Sequence, residues 1–542
     1  VLCGQGGAPA AATIGHYTSL GLDEVPGTGP LAATVPGAFD AWLLLLRDHG
    51  TKHLSEVLRY AIGCAAHGYP ALPAIGAAVE AVRTQFERHW PSSAALYLPH
   101  GRPPAPGALL RNPELAATWE RLLAEAKAAG AGREQQIEAA RRVWRQGFVA
   151  AALTEFAARP SMDTSGVAHA GVLTGDDLAA FEATYEEPVS YEWRGWTVCK
   201  PGLWSQGPVF LQQLALLPDG FGQDGPVCGG PAYLHALIEG GKLAMADREA
   251  WYGDNAELTG VTVADLLDPA YSIERRSLIG EFASAELRPG RPGGRLPRLG
   301  RRGVGAPRIG ESAVAPGTGE PNLALPSLAD PSDQGIAANG ATKGDTCHLD
   351  VVDRWGNMVS ATPSGGWLQS SPVVPGLGFP LGTRLQMAQL EPGLPNSLSP
   401  GRRPRTTLSP SLALREGEPV LAFGTPGGDA QDQWSLHFFL AVALRPAMRG
   451  GLDLQGAIDA ANWHQESFPS SFHPHAMHPA LVTVEARVGD AVIAELRRRR
   501  HRVRVAGAWS EGRVCAVARD PRTGLLTAAA DPRGSQAYAA GR

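Results

Sequence analysis

Thr346 stands in the run Gly344-Asp345-Thr346-Cys347-His348-Leu349-Asp350-Val351-Val352-Asp353, and its chemistry depends on a bond being broken. A threonine hydroxyl is a poor nucleophile until a base takes its proton, and a free α-amine on the same residue is one such base. An α-amine titrates near pH ~7.7–8.0, so a useful fraction is unprotonated at neutral pH. That amine exists only once the Asp345–Thr346 peptide bond is cut. The run therefore predicts a chain that cleaves itself. Cys347 is adjacent, but neighbours in an extended strand face opposite sides, so its thiol should look away from the Thr346 hydroxyl.

The residues after Thr346 alternate as far as a turn at Trp355-Gly356-Asn357 and then resume as a strand, which predicts a β-hairpin. Two further segments follow in order, Arg403-Pro404-Arg405-Thr406-Thr407-Leu408-Ser409-Pro410 and Gly424-Thr425-Pro426-Gly427-Gly428. A Gly-Gly turn can present backbone N–H groups to a developing oxyanion, because no Cβ hinders approach. Taken together and in this order, the three segments resemble the γ-glutamyltransferase family of N-terminal-nucleophile hydrolases, most strongly from Thr346 to about Ser435. Weaker likeness extends over Ala8 to Thr13, Thr34 to Trp42, Ala244 to Arg248 and Ala457 to Ala461.

The resemblance implies an α+β fold, a four-layer αββα sandwich of the N-terminal-nucleophile hydrolase type. It also implies a glutathione hydrolase-like activity through an acyl-enzyme on Thr346, with no cofactor. Residues 1–345 would be the large-subunit part, with 288–345 a flexible pre-cleavage segment, and 346–542 the small-subunit part. The two fragments would stay associated, a dimer of the processed unit being one expected assembly. By the same resemblance Ser364, eighteen positions past the nucleophile, helps to hold the freed amine, and Gly427 and Gly428 form the oxyanion site. Thr406 and Thr407 stand where the family has two serines that bind the substrate α-carboxylate.

Departures from the family pattern bear on the substrate. An arginine that clamps the α-carboxylate in relatives is replaced by Gly6-Gly7, and an acidic pair that holds the α-amine is replaced by Gln386-Met387. Losing an anion opposite an ammonium removes a charge-assisted bond. Arg384 and Arg405 could instead clamp a carboxylate, though an arginine in such a region also commonly pairs with a local acid. The pattern is similar to the branch near cephalosporin-type acylases, so the expected partner is a small amide bearing a carboxylate. An acylase on glutaryl or related N-acyl amides is one alternative. A silent family member with a binding role is the other.

At 542 residues the chain can bury a large core. Net charge is -5 with 19% charged residues, which gives no electrostatic case for nucleic acid or an anionic membrane as partner. No stretch approaches the roughly 18 uninterrupted apolar residues of a membrane helix. Six cysteines lack paired short spacing, which argues against a zinc site or a disulfide framework. His464, His473, His475 and His478 cluster without a Cys or Asp to complete a ligand set, so no metal is expected. Nothing matches a signal peptide. The chain opens at Val1 and resembles the family from inside its large-subunit part, so localisation stays unassigned, with the cytoplasm as default.

The elements that must position these residues follow from periodicity and caps. A helical run is expected from Ala41 to Ala66, and helices from Asn112-Pro113 to about Ala158. Thr174 should cap another helix. A hairpin is expected over Pro188 to Cys199, helices from Ala232 to Trp251, a helix at Asp453, and strands near Leu481 to Ala486 and Gly512 to Ala518. Arg497 to Arg500 should form the exposed end of a helix leading to an edge strand.

Overall fold

The computed structural model describes residues 1–222, 228–301, 346–365, 368–444, 451–533 and 537–541. The expected Asp345–Thr346 cleavage point has only its threonine side among them.

The first third is helical. The run expected from Ala41 to Ala66 is two helices, α1 (Ala38–His49) and α2 (Leu54–His67). They part at Gly50, where a Cβ would stand 2.7 Å from the Leu46 carbonyl oxygen. Arg133 then donates to the carbonyls of Leu46, Arg47 and Gly50, satisfying the open end of α1. Three more helices, α3 (Pro113–Ala128), α4 (Arg133–Gln146) and α5 (Phe148–Ala157), follow as expected. Asn112 caps α3 by accepting from the Leu115 N–H at 3.0 Å, with Pro113 at the first helical position. Thr174 caps the short helix Gly175–Ala180.

The hairpin of β1 (Val189–Trp193) and β2 (Trp196–Lys200) turns through Arg194 and Gly195, both at positive φ, as a two-residue right-twisted turn requires. Helices α6 (Gly207–Ala215) and α7 (Pro231–Trp251) complete the large part. Thr346 then leads into β3 (Leu349–Val352) and β4 (Met358–Ala361), the predicted hairpin, followed by β5 (Ser411–Arg415), β6 (Glu418–Gly424) and α8 (Gln431–Leu444). Next come α9 (Leu454–Ile458), β7 (Trp463–Gln465), β8 (Leu481–Glu485), α10 (Asp490–Arg498), β9 (Arg502–Ala506), β10 (Cys515–Arg519) and β11 (Leu526–Ala530).

Six strands form one antiparallel sheet in the order β11-β10-β6-β5-β2-β1. Its main core joins Trp196, Phe210, Phe423, Trp434 and Phe439, so α6 and α8 lie on one face. The β3–β4 hairpin packs on β6, with the Ser360 hydroxyl donating to the Phe423 carbonyl at 3.2 Å. A smaller sheet, β7-β8-β9, has α10 crossing between the parallel strands β8 and β9. Arg497 and Arg498 end α10 and β9 is an edge strand, as the arginine run suggested. The fold is thus of the α+β class. Among the described residues no helix is long and apolar enough to cross a membrane.

Of the segment 288–345 expected to be flexible, the described part 288–301 makes bonds to the rest of the protein. Gly290 N–H donates to Asp247 at 2.7 Å, Arg298 pairs with Glu391 at 3.2 Å, and the Arg301 N–H donates to Glu391 at 3.0 Å. Residues 302–345 lie outside the described residues.

The two parts share a sheet, because β5 from one side of Thr346 pairs with β2 from the other. They also share a buried ion pair. Lys200 Nζ lies 2.8 Å from Asp432 Oδ1 and donates to the Ser409 and Ser411 hydroxyls at 2.8 Å each. Burial pushes the lysine down and the aspartate up from their ordinary pKa ranges, while each partner opposes that shift in the other. A break at the Asp345–Thr346 bond should leave two fragments that co-elute in native gel filtration and separate only in denaturant. Asp432→Ala strands a buried lysine and should cost about 3–5 kcal/mol, read by denaturant unfolding.

Candidate active site

Thr346 heads a ladder of polar cross-strand pairs. In the β3–β4 register Asp350 faces Ser360 and Leu349 faces Ala361. One step on, the His348 ring bonds the Thr362 hydroxyl at 2.8 Å, and at the top Thr346 Oγ1 lies 2.9 Å from Ser364 Oγ. The Cys347 N–H donates to the Pro363 carbonyl at 3.0 Å, which holds the top of the ladder closed. Alternation then does the rest. His348 and Asp350 have side chains 0% and 1% exposed and bond each other at 2.9 Å. Cys347, Leu349 and Val351 are exposed on the other side, as expected for the thiol. The inward ring of His348 presses on β6, where a Cβ at Gly424 would meet its Cε1 at 2.3 Å. The sequence reading missed His348 and Asp350, although the period-two Thr-x-His-x-Asp pattern was the available signal.

Past Gly424, β6 runs into the Gly427-Gly428 turn that opens α8. Gly427 has φ +129° and Gly428 φ +55°, and a Cβ on Gly427 would stand 2.4 Å from the Trp434 ring. Both geometry and space require glycine here. The turn also sits at a helix N-terminus, where backbone N–H groups and the helix dipole favour negative charge.

Behind the turn lies a network of four buried charges. Arg248 donates to Asp429, to Glu249 at 3.0 Å and to the Gln206 side-chain carbonyl at 3.0 Å. Arg405 donates to Glu249 at 2.7 Å and to the Arg248 carbonyl at 2.9 Å. Burial alone would lower the Arg248 pKa, but the Asp429 and Glu249 carboxylates raise it. Arg405, fully buried and facing Arg248, is lowered by burial first. The expectation that Arg405 clamps a ligand carboxylate is corrected by these bonds, since its guanidinium already serves Glu249.

Thr406 and Thr407 follow it, each 1% exposed. Thr406 Oγ1 accepts from the Leu408 N–H at 3.3 Å, whereas the buried Thr407 hydroxyl has no hydrogen-bond partner among the described residues.

The departures from the family pattern are built into the backbone. A Cβ at Gly6 would lie 1.7 Å from the Val35 oxygen, and one at Gly7 2.5 Å from the Gly401 oxygen, so neither place accepts an arginine in this arrangement. Gln386 is buried and committed. It donates to the Gly27 carbonyl at 3.2 Å and the Thr383 hydroxyl at 3.1 Å, and accepts from the His473 N–H at 3.1 Å. Arg384 is buried beside Met387 Sδ at 3.9 Å, with its guanidinium 5.8 Å from the centre of the Phe472 ring.

The histidines divide into two settings. His473 Nδ1 lies 3.6 Å from Glu24, a carboxylate far away in sequence, and His475 Nδ1 donates to the Ser470 carbonyl at 2.8 Å. His464 bonds Glu511 at 2.6 Å and Glu466 at 3.1 Å, with its ring edge-on to Trp434, the residue behind Gly427. Burial alone would lower the His464 pKa, but the two carboxylates raise it from 6.5 to about 9. A pKa raised on folding means stability present in full below the unfolded value and lost as pH climbs through the folded one. Between pH ~6.5 and 9 the protein should lose roughly 3 kcal/mol from this group. Urea unfolding across that range should show the slope, and His464→Gln should flatten it.

Comparison with known proteins comes to the same place. A family model described as Gamma-glutamyltranspeptidase matches residues 1–541. Acylase ACY 1 proenzyme of Pseudomonas sp. (strain SE83) is 28% identical over 539 residues, covering 96% of this chain and 79% of that protein. The solved structure of LmbA2991HD is 62% identical with a TM-score of 0.90, covering 100% of this chain and 87% of that one. Cephalosporin acylase from Bacillus halodurans is 26% identical with a TM-score of 0.73, covering 98% of this chain and 83% of that one. The match runs over nearly every residue and includes the segment that carries Thr346, and the chain belongs to the gamma-glutamyltranspeptidase family of amide hydrolases and acyltransferases.

Proposed function

We propose that the chain cuts its own Asp345–Thr346 bond and then works through Thr346 as an amide hydrolase or acyltransferase on a small substrate whose acyl group ends in a carboxylate. The observation that carries this reading is the Thr346 Oγ1–Ser364 Oγ contact of 2.9 Å, at the head of a strand packed against the segment leading to Gly427-Gly428. Cleavage frees the α-amine, which takes the hydroxyl proton as Thr346 Oγ bonds to the amide carbon. The tetrahedral oxyanion is stabilised by N–H groups of the Gly427-Gly428 turn. Collapse breaks the C–N bond, the departing amine receives the proton, and an ester on Thr346 remains. Water, or an acceptor amine, then attacks that ester with the α-amine again acting as base; the acyl C–Oγ bond breaks, the proton passes from the amine to Thr346 Oγ, and the acid or new amide leaves. Ser364, held against Thr346, orients the hydroxyl and the amine.

For the acyl group, the Thr407 hydroxyl, unpartnered among the described residues, is the donor of the threonine pair left to meet a ligand, and the buried Arg384 supplies a positive charge. A γ-glutamyl group would bring an α-ammonium as well. Its usual anionic partners are replaced here by a fully engaged Gln386 and the thioether of Met387, which supports an acyl group without that amine. The likeness to Acylase ACY 1 and to a cephalosporin acylase points the same way.

A panel of glutaryl, γ-glutamyl and N-acyl amino acid amides tests the substrate. Glutaryl amides should turn over at least as well as γ-glutamyl ones, and a tenfold preference for γ-glutamyl would contradict the reading. Arg384→Ala should lower kcat/KM about 10- to 100-fold, consistent with a lost charge-assisted bond. Thr346→Ala should abolish both processing and turnover, whereas Cys347→Ala should keep most activity; equal loss in a folded Cys347→Ala protein would overturn the assignment of the nucleophile.

A further inference from the structure

We infer that Gln206, a residue of the large part, is a positioning residue that sets the oxyanion turn and ties it to the acyl-binding threonines. The inference rests on the proposed roles of Gly427-Gly428 and Thr406-Thr407. Gln206 is 0% exposed, and three of its bonds reach the residues of the site. Its side-chain Nε2 donates to the Gly428 carbonyl at 3.3 Å, its Oε1 accepts from Arg248 Nη1 at 3.0 Å, and its backbone N–H donates to the Thr406 carbonyl at 2.9 Å. On the other side of Ser205, the Trp204 carbonyl accepts from the Thr406 N–H at 2.9 Å, so the Thr406 backbone is held by Trp204 and Gln206 in a parallel bridge centred on Ser205.

The direction of each bond gives the amide a task. A peptide unit whose carbonyl is held cannot rotate, so fixing the Gly428 C=O fixes the plane of the unit that follows the turn. Two glycines at positive φ leave that turn free to adopt other conformations unless something outside it decides. The same amide that donates to Gly428 has its Oε1 oriented by Arg248, and Arg248 is in turn held by Asp429, the residue after Gly428. Gly428, Gln206, Arg248 and Asp429 therefore close a ring of contacts around one end of the turn.

The side chain and the backbone of Gln206 serve different subsites, which makes the idea separable by mutation. Replacing the side chain removes the hold on Gly428 and leaves the backbone bond to Thr406. Gln206→Met keeps the length and apolar stem while removing the side-chain bonds to Gly428 and Arg248. Its kcat for a turned-over amide should fall at least tenfold while KM stays within about threefold. Arg248→Lys, which keeps a charge for Asp429 but lacks the fork that also reaches Gln206, should show the same kcat-selective loss. Thermal unfolding by circular dichroism would be run on both variants, and the Arg248→Lys protein carries the test if Gln206→Met does not fold. Folded variants with unchanged kcat, or with kcat and KM shifted in the same proportion, would overturn the inference. Mass analysis of quenched wild-type protein separates the two levels. Absence of an acyl adduct on the Thr346 fragment contradicts the proposed nucleophile, whereas an adduct in the wild type with no kcat-selective loss in the variants contradicts only the role of Gln206.

Discussion

Pairing of the strand headed by Thr346 with the strand that ends near Ser364 is the constraint on which the site depends. The inward side chains of that hairpin are polar and buried, and buried polar groups must find partners or cost stability. They find them across the strand pair and within it: Thr346 with Ser364, His348 with Thr362 and Asp350. A slip of one residue would turn this set outward and bring Cys347, Leu349 and Val351 into contact with β6. Satisfaction of the ladder therefore decides that the threonine hydroxyl, and not the neighbouring thiol, turns inward to Ser364.

The second organising feature is that each half of the site is held by residues from both sides of Thr346. The Gly427-Gly428 turn belongs to the small part and is anchored by Gln206 and Arg248 of the large part. The Thr406 backbone is held by Gln206 and Trp204, and Arg405 is paired with Glu249. Lys200 and Asp432 repeat the pattern one layer deeper. A chain cut at Thr346 would thus gain a free amine without releasing the geometry around it, because the sheet and these buried pairs cross the cut.

Local features were legible in the sequence. Trp355-Gly356-Asn357 marked the hairpin turn, Asn112-Pro113 marked a helix start, and the strand alternation placed Cys347 outward, all because short-range sterics and caps act within a few residues. The break at Gly50 was missed because apolar spacing runs through it and the glycine's close approach to Leu46 is visible only in three dimensions. The roles of Gln206, Arg248, Glu249 and Asp429 were hidden for another reason. Gln206 meets Gly428 across 222 positions and Arg248 meets Asp429 across 181, separations that no periodicity records. Arg405 shows the same limit, since its partner Glu249 lies 156 positions away and only folding reveals that the guanidinium is engaged.

The central claim is that Thr346 becomes an N-terminal residue. N-terminal sequencing of the purified, incubated protein, combined with intact mass, tests this most directly. The account predicts a small fragment that begins Thr-Cys-His-Leu-Asp, appearing with the onset of amide turnover. An uncut chain that turns over amides, or a fragment beginning at any other residue in an active preparation, would contradict it.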